Sequence, residues 1–242
     1  MACIHKFYKH QEHLSEEQAL LPNWPVKTLI IGTFNPENVW HSGNQARYFY
    51  GRDANHLWTV LPRFAGETSI LNNDVTHQIG FLKRHEIGLT DILISIDDAE
   101  IGDEVHKARI QTVKDKEVEL FSRFTWNTNA IINYIIDSEI KAVYFTYLGD
   151  KKRKTVRDNS FEEQTRKVET ACAKMKIFSS RLHTPSAQGL GEGSPRENVL
   201  IHRWYNENGA DRFPFLDKNF DLDNFPITSK HGLTDEQINE FF

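Results

Sequence analysis

Three short stretches carry residue types that could do chemistry. The first is "YFYGRDANHLW", residues 48–58. Its aromatics could stack on a planar ring, and Asn55, in the first turn of a following helix, would point back toward that ring. The second is "GTFNPE", residues 32–37. Gly32 admits close backbone approach, Asn35 presents an amide and Pro36 stiffens the turn. The third is "HTPSAQGLGEGS", residues 183–194. There His183 can donate to an oxygen that gains negative charge, and the helix that follows offers N–H groups to an anion. Taken singly, the first two stretches read better as core packing, a turn or a helix cap, and the third has a plain reading as a surface loop, since Gly, Asn, Pro and Ser are the usual turn residues. A fourth stretch, "GDKKRKTVR" (149–157), has a solvated charge run as its commoner meaning and a phosphate-contacting patch as its sharper one. No GxGxxG or Walker spacing is present, which argues against a dinucleotide or nucleoside triphosphate.

The flanking patterns predict the elements that must hold these groups. Residues 26–34 read as a buried strand broken at Asn35-Pro36. Asp53 is the expected N-cap of a helix carrying Leu57, Trp58, Val60 and Leu61, ended or kinked by Pro62. A helix is expected over 73–84, a strand over 88–96 and helix over 115–137, in one or two pieces, with Ile131, Ile132, Ile135 and Ile136 as its apolar face. Strands follow at 141–148 and 176–184, separated by a helix whose capping box is Ser160 and Glu163. Ser194, Pro195 and Glu197 open another helix, closed by Gly209. Thr234 with Gln237 caps a short helix in the tail. Strands alternating with helices give an α/β fold: a three-layer α/β/α sandwich around a central, mostly parallel four-stranded sheet. Ligands of such sheets bind at the carboxyl edge, where both "GTFNPE" and "HTPSAQGLGEGS" fall. We expect one domain over 1–242, with a core at about 27–205, an insertion at about 97–135 and a C-terminal extension at about 206–242.

Composition narrows the classes. The 242 residues are 39% hydrophobic and 26% charged, as in ordinary globular proteins. No run reaches the roughly 20 apolar residues of a membrane span, and the N-terminus lacks a secretory pattern, so the expectation is a cytoplasmic protein. The two cysteines, Cys3 and Cys172, are too few for a four-thiolate site and are expected to be free thiols. The eleven histidines show no metal spacing, and neither a metal nor a cofactor is expected. A formal charge of -5 argues against coating nucleic acid by bulk electrostatics. The charge is uneven, however: residues 141–181 hold eleven Lys/Arg against five Asp/Glu.

In their order and spacing, the three stretches resemble the uracil-DNA glycosylase superfamily, most of all its hypoxanthine-DNA glycosylase branch. That branch carries two aromatics, glycine, three variable residues, asparagine, one residue and an aromatic or apolar residue before tryptophan. Phe49, Tyr50, Gly51, Asn55, Leu57 and Trp58 fit this frame without a gap. "GLTDILIS" is similar to the branch's "GLWDVL". "SRLHTPSA", with Trp204 in the following helix, resembles its second catalytic loop, and "AVYFTYLGDKKRK" its strand and glycine–lysine turn. The resemblance spans about residues 27–205. Two departures stand out. Arg52-Asp53-Ala54 replaces His-Pro-Arg. "GTFNP" sets asparagine before proline, as "GINP" does in mismatch-specific uracil and thymine glycosylases, with one residue more.

The resemblance implies a monofunctional DNA glycosylase that flips one nucleotide out of double-stranded DNA and hydrolyses its N-glycosidic bond. It implies that Phe34, Phe49 and Tyr50 sandwich the base beside Gly32, and that Asn35 or Asn55 positions the water by orientation. His183, with Ser186, would stabilise the base anion or hold phosphates. Gln188 and Leu190 would wedge into the vacated stack, and Lys151, Lys152, Arg153 and Lys154 would touch the backbone. A monomer is expected. The role would be base-excision repair or defence against phage DNA with hypermodified bases. The alternative is a non-catalytic glycosylase-like module that binds altered nucleic acid or a protein partner, which the acidic balance favours. A nucleotide- or sugar-phosphate-binding domain has only "GLGEGS" behind it.

Overall fold

Along the chain, hydrogen bonding defines β1 (Cys3–Ile4), β2 (Thr28–Gly32), α1 (Leu57–Phe64), α2 (Val75–Arg84), β3 (Ile87–Asp91), β4 (Leu93–Ile96) and α3 (Glu104–Gln111). It continues through α4 (Asp115–Val118), β5 (Phe124–Trp126), α5 (Thr128–Asp137), β6 (Ala142–Phe145), α6 (Phe161–Met175), β7 (Phe178–Arg181) and α7 (Arg196–Asn208). These elements belong to a computed structural model that describes residues 2–9, 14, 20–149, 156–186 and 195–228.

The central sheet has the order β3-β2-β6-β7, and every pair in it is parallel. β2, β3 and β6 are buried at every position. Their short apolar runs are what a sheet covered on both faces demands. Helices flank it, with α1 packed on α7 and α5 on α6, completing the three-layer sandwich. Trp40, Trp58 and Trp204 are among the largest fully buried side chains.

A second sheet, antiparallel with order β1-β4-β5, was not expected. It arises because the apolar run 88–96 breaks in two. β3 pairs with β2 through Asp91. Ile92 and Leu93 then donate to the carbonyls of Gly32 and Thr33, and the chain leaves the parallel sheet. The Ile94 carbonyl instead accepts from His5 N at 2.8 Å. Both halves are apolar, so periodicity alone could not reveal the switch. The helical reading of 115–137 gives way to α4, the aromatic strand β5 and α5. On α5, Ile131 and Ile135 are buried whereas Ile136 is exposed, so the apolar face is narrower than four isoleucines suggested.

One predicted cap moves and one predicted helix stop fails. Asp53 is an exposed turn residue, and α1 starts only at Leu57, whose N–H donates to Asn55 Oδ1 at 3.0 Å. Pro62 sits inside α1 and does not end it. The N–H it lacks would have met the Trp58 carbonyl, and Ile70 N supplies that bond instead at 2.9 Å. The α6 box forms as expected, with Ser160 Oγ accepting from Glu163 N, although the Glu163 carboxylate takes Asn159 N. Pro195 immediately precedes α7, and Gly209 closes that helix in the left-handed conformation. Ser194, Thr234 and Gln237 lie outside the described residues. Both cysteines are buried and free, and burial pushes the Cys172 thiol up to about 11. Among the described residues no helix is long and apolar enough to cross a membrane.

Candidate active site

The loop after β2 is clamped from two sides. From the N-terminal segment, His5 bridges to Pro36, Lys6 N donates to the Asn35 carbonyl at 2.7 Å, and Lys6 Nζ donates to the Asn44 carbonyl at 2.8 Å. From the loop ahead of α1, Asn44 Nδ2 donates to Asn35 Oδ1 at 2.6 Å and to the Pro36 carbonyl at 2.9 Å. Arg52 Nη2 adds a bond to Asn35 Oδ1 at 3.1 Å. A guanidinium only donates, so the amide oxygen must face Arg52 and Nδ2 is the group left to present. Orienting a nucleophilic water requires an acceptor. Asn35 therefore offers a substrate a donor, because its acceptor is already taken twice.

Asp91 ends β3 at the same sheet edge, and its side chain is only 7% exposed. His5 Nε2 donates to its Oδ2 at 2.7 Å. Phe7 N donates to His5 Nδ1 at 3.1 Å, which places the imidazole proton on Nε2. His5 also touches the rings of Phe7, Phe34 and Phe49. Gly32 lies beside this carboxylate. A Cβ there would fall 2.2 Å from Asp91 Oδ1 and 2.6 Å from Tyr50 Oη, so the glycine is needed for the two groups to converge.

Tyr50 closes the group. Its backbone is left-handed, with φ 57°, a strained position for an aromatic residue. Its Oη shares a hydrogen bond with Thr146 Oγ1 at 3.0 Å, which ties the 46–56 loop to the end of β6. Burial raises the phenol's pKa, and the charges of Asp91 and Asp115 raise it further. Asp115, the first residue of α4, brings the segment after β4 to the same edge. Burial pushes its carboxyl up to about 6 against a hydrogen bond to Thr33 that opposes the rise, and the charges of Glu119 and Asp91 add to it. Arg52 is held below its usual range by burial, with Asp91 opposing. Lys6 and His41 are likewise lowered, first by burial and then by Arg52.

The described contacts thus join Gly32, Phe34, Asn35 and Tyr50 of the expected set to Arg52, Asp91, Asp115 and His5. The other expected residues lie differently. Phe49 is 1% exposed, packed on His5, Phe7 and Tyr48, and offers no ring face to a base. Asn55 spends its oxygen on Leu57 N. His183 follows β7, where Asn208 Oδ1 accepts both its backbone N–H and Nδ1, each at 3.1 Å. With its proton on Nδ1, neutral His183 presents a lone pair at Nε2 and donates there only as an imidazolium. Ser186 shares a bond with Thr184 Oγ1. The Pro185 carbonyl accepts from His56 N at 2.8 Å, and His56 pairs with Glu197 at 3.1 Å, so this loop is docked against the starts of α1 and α7. Lys151, Lys152, Arg153, Lys154, Gln188 and Leu190 lie outside the described residues.

The turn that leads into the basic run is stapled. Buried Arg181 pairs with Glu162 and Glu169 and donates to the Leu148 carbonyl. Gly149 has φ +62°, and a Cβ on it would fall 2.1 Å from Glu162 Oε2. Arg157, at the far end of the run, is bound to the Glu119 carbonyl at 2.7 Å.

Sequence reading missed His5, Asp91 and Asp115. Asp91 left one signal: a lone carboxylate inside an apolar strand run is rarely buried without a purpose. His5 and Asp115 gave none, because each sits in a stretch crowded with charge. Among the described residues no group of three or more His, Cys, Asp or Glu could hold a metal.

No protein-family model matches the chain, and no curated protein matches it. A solved structure to which it is similar is the solution NMR structure of a protein from Methanosarcina acetivorans named as a putative uracil DNA glycosylase. The two share 13% identity with a TM-score of 0.42, over 74% of this chain and 89% of that one. A similarity that distant carries no weight for fold or chemistry, which rest on the residues above.

Proposed function

We propose that the protein is a monofunctional DNA glycosylase whose reaction centre is the Asn35, Arg52, Asp91 and Asp115 group. The observation that carries this reading is the convergence, at the carboxyl edge of the parallel sheet, of a raised-pKa carboxylate with donors and aromatic rings. Phe34 and Tyr50 are the rings available to flank a flipped base. Bond cleavage at C1′ leaves the electron pair on the departing base and positive charge on the sugar. Water then adds its oxygen to C1′ and passes a proton to Asp115, and the base anion is protonated from solvent. Asp115 also balances the cationic sugar electrostatically. Asn35 Nδ2 and Arg52 supply donors to the base as its charge grows. Lys6 Nζ is spent on a carbonyl, which leaves hydrolysis as the favoured route over a lysine-linked one.

The basic run 151–154 would hold the DNA backbone. Incubating the protein with duplexes bearing uracil, hypoxanthine or glucosylated hydroxymethylcytosine tests the reading and separates repair from antiviral use. Release of a free base is the expected result. Intact glycosidic bonds in every duplex would mean that the fold serves binding alone.

A further inference from the structure

Asp91 is bonded through one oxygen and unbonded through the other. Its Oδ2 is held by His5, whose own proton position is set by Phe7 N. Its Oδ1 makes no hydrogen bond among the described residues, yet it is not among the polar atoms sealed from solvent without a partner. The absence of a side chain at Gly32 is what lets Oδ1 and Tyr50 Oη approach the same point. A carboxylate more than nine-tenths buried, with one oxygen unmet and not sealed from solvent, leaves an acceptor for a ligand to satisfy.

A carboxylate accepts and never donates. Only an N–H or O–H on the ligand can answer it. Uracil and hypoxanthine each carry one ring N–H, but it lies beside a keto oxygen. That oxygen's lone pairs would face Asp91 and, nearby, Asp115. A base with an exocyclic amine offers N–H donors there instead. Given the glycosylase reading, on which this rests, we propose that the pocket selects a nucleobase carrying an exocyclic amino group, read by Asp91 Oδ1 with His5 as its positioning residue. Asn35 Nδ2 and Arg52 are donors that call for a carbonyl on the same base. A ring with both features is a 4-amino-2-oxopyrimidine: cytosine or a 5-substituted cytosine.

The test uses the full chain and single- and double-stranded oligonucleotides. Each carries one cytosine, 5-hydroxymethylcytosine, glucosylated hydroxymethylcytosine, adenine, uracil or hypoxanthine, and freed base is quantified by chromatography. We expect an amino base to be released at least about tenfold faster than either keto base. Adenine leading the panel would support the amine reading and move it to a purine. Asp91→Asn is nearly isosteric. Its amide oxygen must stay on His5 Nε2–H, so an NH2 replaces the open oxygen and a donor stands where an acceptor stood. Preference should then swing at least about tenfold toward the keto bases, with the melting transition confirming a folded variant. Uracil or hypoxanthine released fastest by the wild type would overturn the amine proposal while leaving the glycosylase reading intact. Failure to release any base would instead remove the glycosylase reading. Recognition would then be decided by NMR titration with free cytosine and free uracil. Preference for cytosine, inverted in Asp91→Asn, supports it, and equal or absent binding overturns it.

Discussion

Asp115 has a carboxyl whose proton is held more tightly in the folded chain than in the unfolded one, where its pKa is about 3.9. That difference sets two pH dependences with opposite senses. Stability from this group is fully present below pH 3.9 and is lost as pH rises through about 6, where the partly buried group must ionise. Asp115→Asn should therefore stabilise the protein by about 1–2 kcal/mol at pH 8, read as a melting temperature raised by a few degrees. Activity runs the other way, because a general base must be ionised. The rate should fall below about pH 6, and that limb should vanish in the variant. Asn55 gives the complementary test. Its oxygen caps α1, so Asn55→Ala should cost about 1 kcal/mol of stability and leave base release within a few-fold of wild type. A loss of about a hundredfold or more would return Asn55 to the reaction.

Among the elements, those with one dominant signal were legible and those settled by competition were not. β2, β6 and α6 declared themselves through short buried runs and a capping box. The split of 88–96 did not, because hydrogen bonds from Ile92 and Leu93 back to β2, and from His5 to Ile94, decided it over long sequence distances. Pro62 likewise sits in α1 only because Ile70, downstream in the chain, meets the carbonyl it frees. Half of the candidate site was readable in the same way. Gly32, at the end of β2, and Asn35 and Tyr50, in loops, stand in stretches of unusual residue order, whereas Asp91 and Asp115 acquire meaning only from what the fold sets beside them. Arg181 is an element-level device, since it joins α6, β7 and the Gly149 turn. Arg181→Ala would leave Glu169 without its cation and Glu162 with Arg166 alone. It should cost about 3 kcal/mol or more, visible as a melting temperature lowered by roughly 6 °C or more.

At the scale of the whole molecule, a net charge of -5 and a local excess of cation between 141 and 181 predict directional binding to DNA, with no general coating of it. Replacing Lys151, Lys152, Arg153 and Lys154 with alanine should weaken binding equally across sequences and reduce the steepness of its salt dependence by up to about 3–4 in the logarithmic slope. An unchanged slope would move the DNA contact elsewhere on the surface. The N-terminal segment and the segment between β4 and β5 join the same account. They deliver His5 and Asp115 to an edge that the 27–205 core without its 97–135 insertion would leave without either group.

The most direct measurement is single-turnover base release at pH 8, with wild type and Asp115→Asn compared on the best oligonucleotide of the panel. The wild type should yield free base and an abasic strand, and the variant should bind as tightly while releasing base about a hundredfold more slowly or worse. Equal rates in the two proteins, or no free base from the wild type on any oligonucleotide, would contradict a hydrolytic centre built on Asp115.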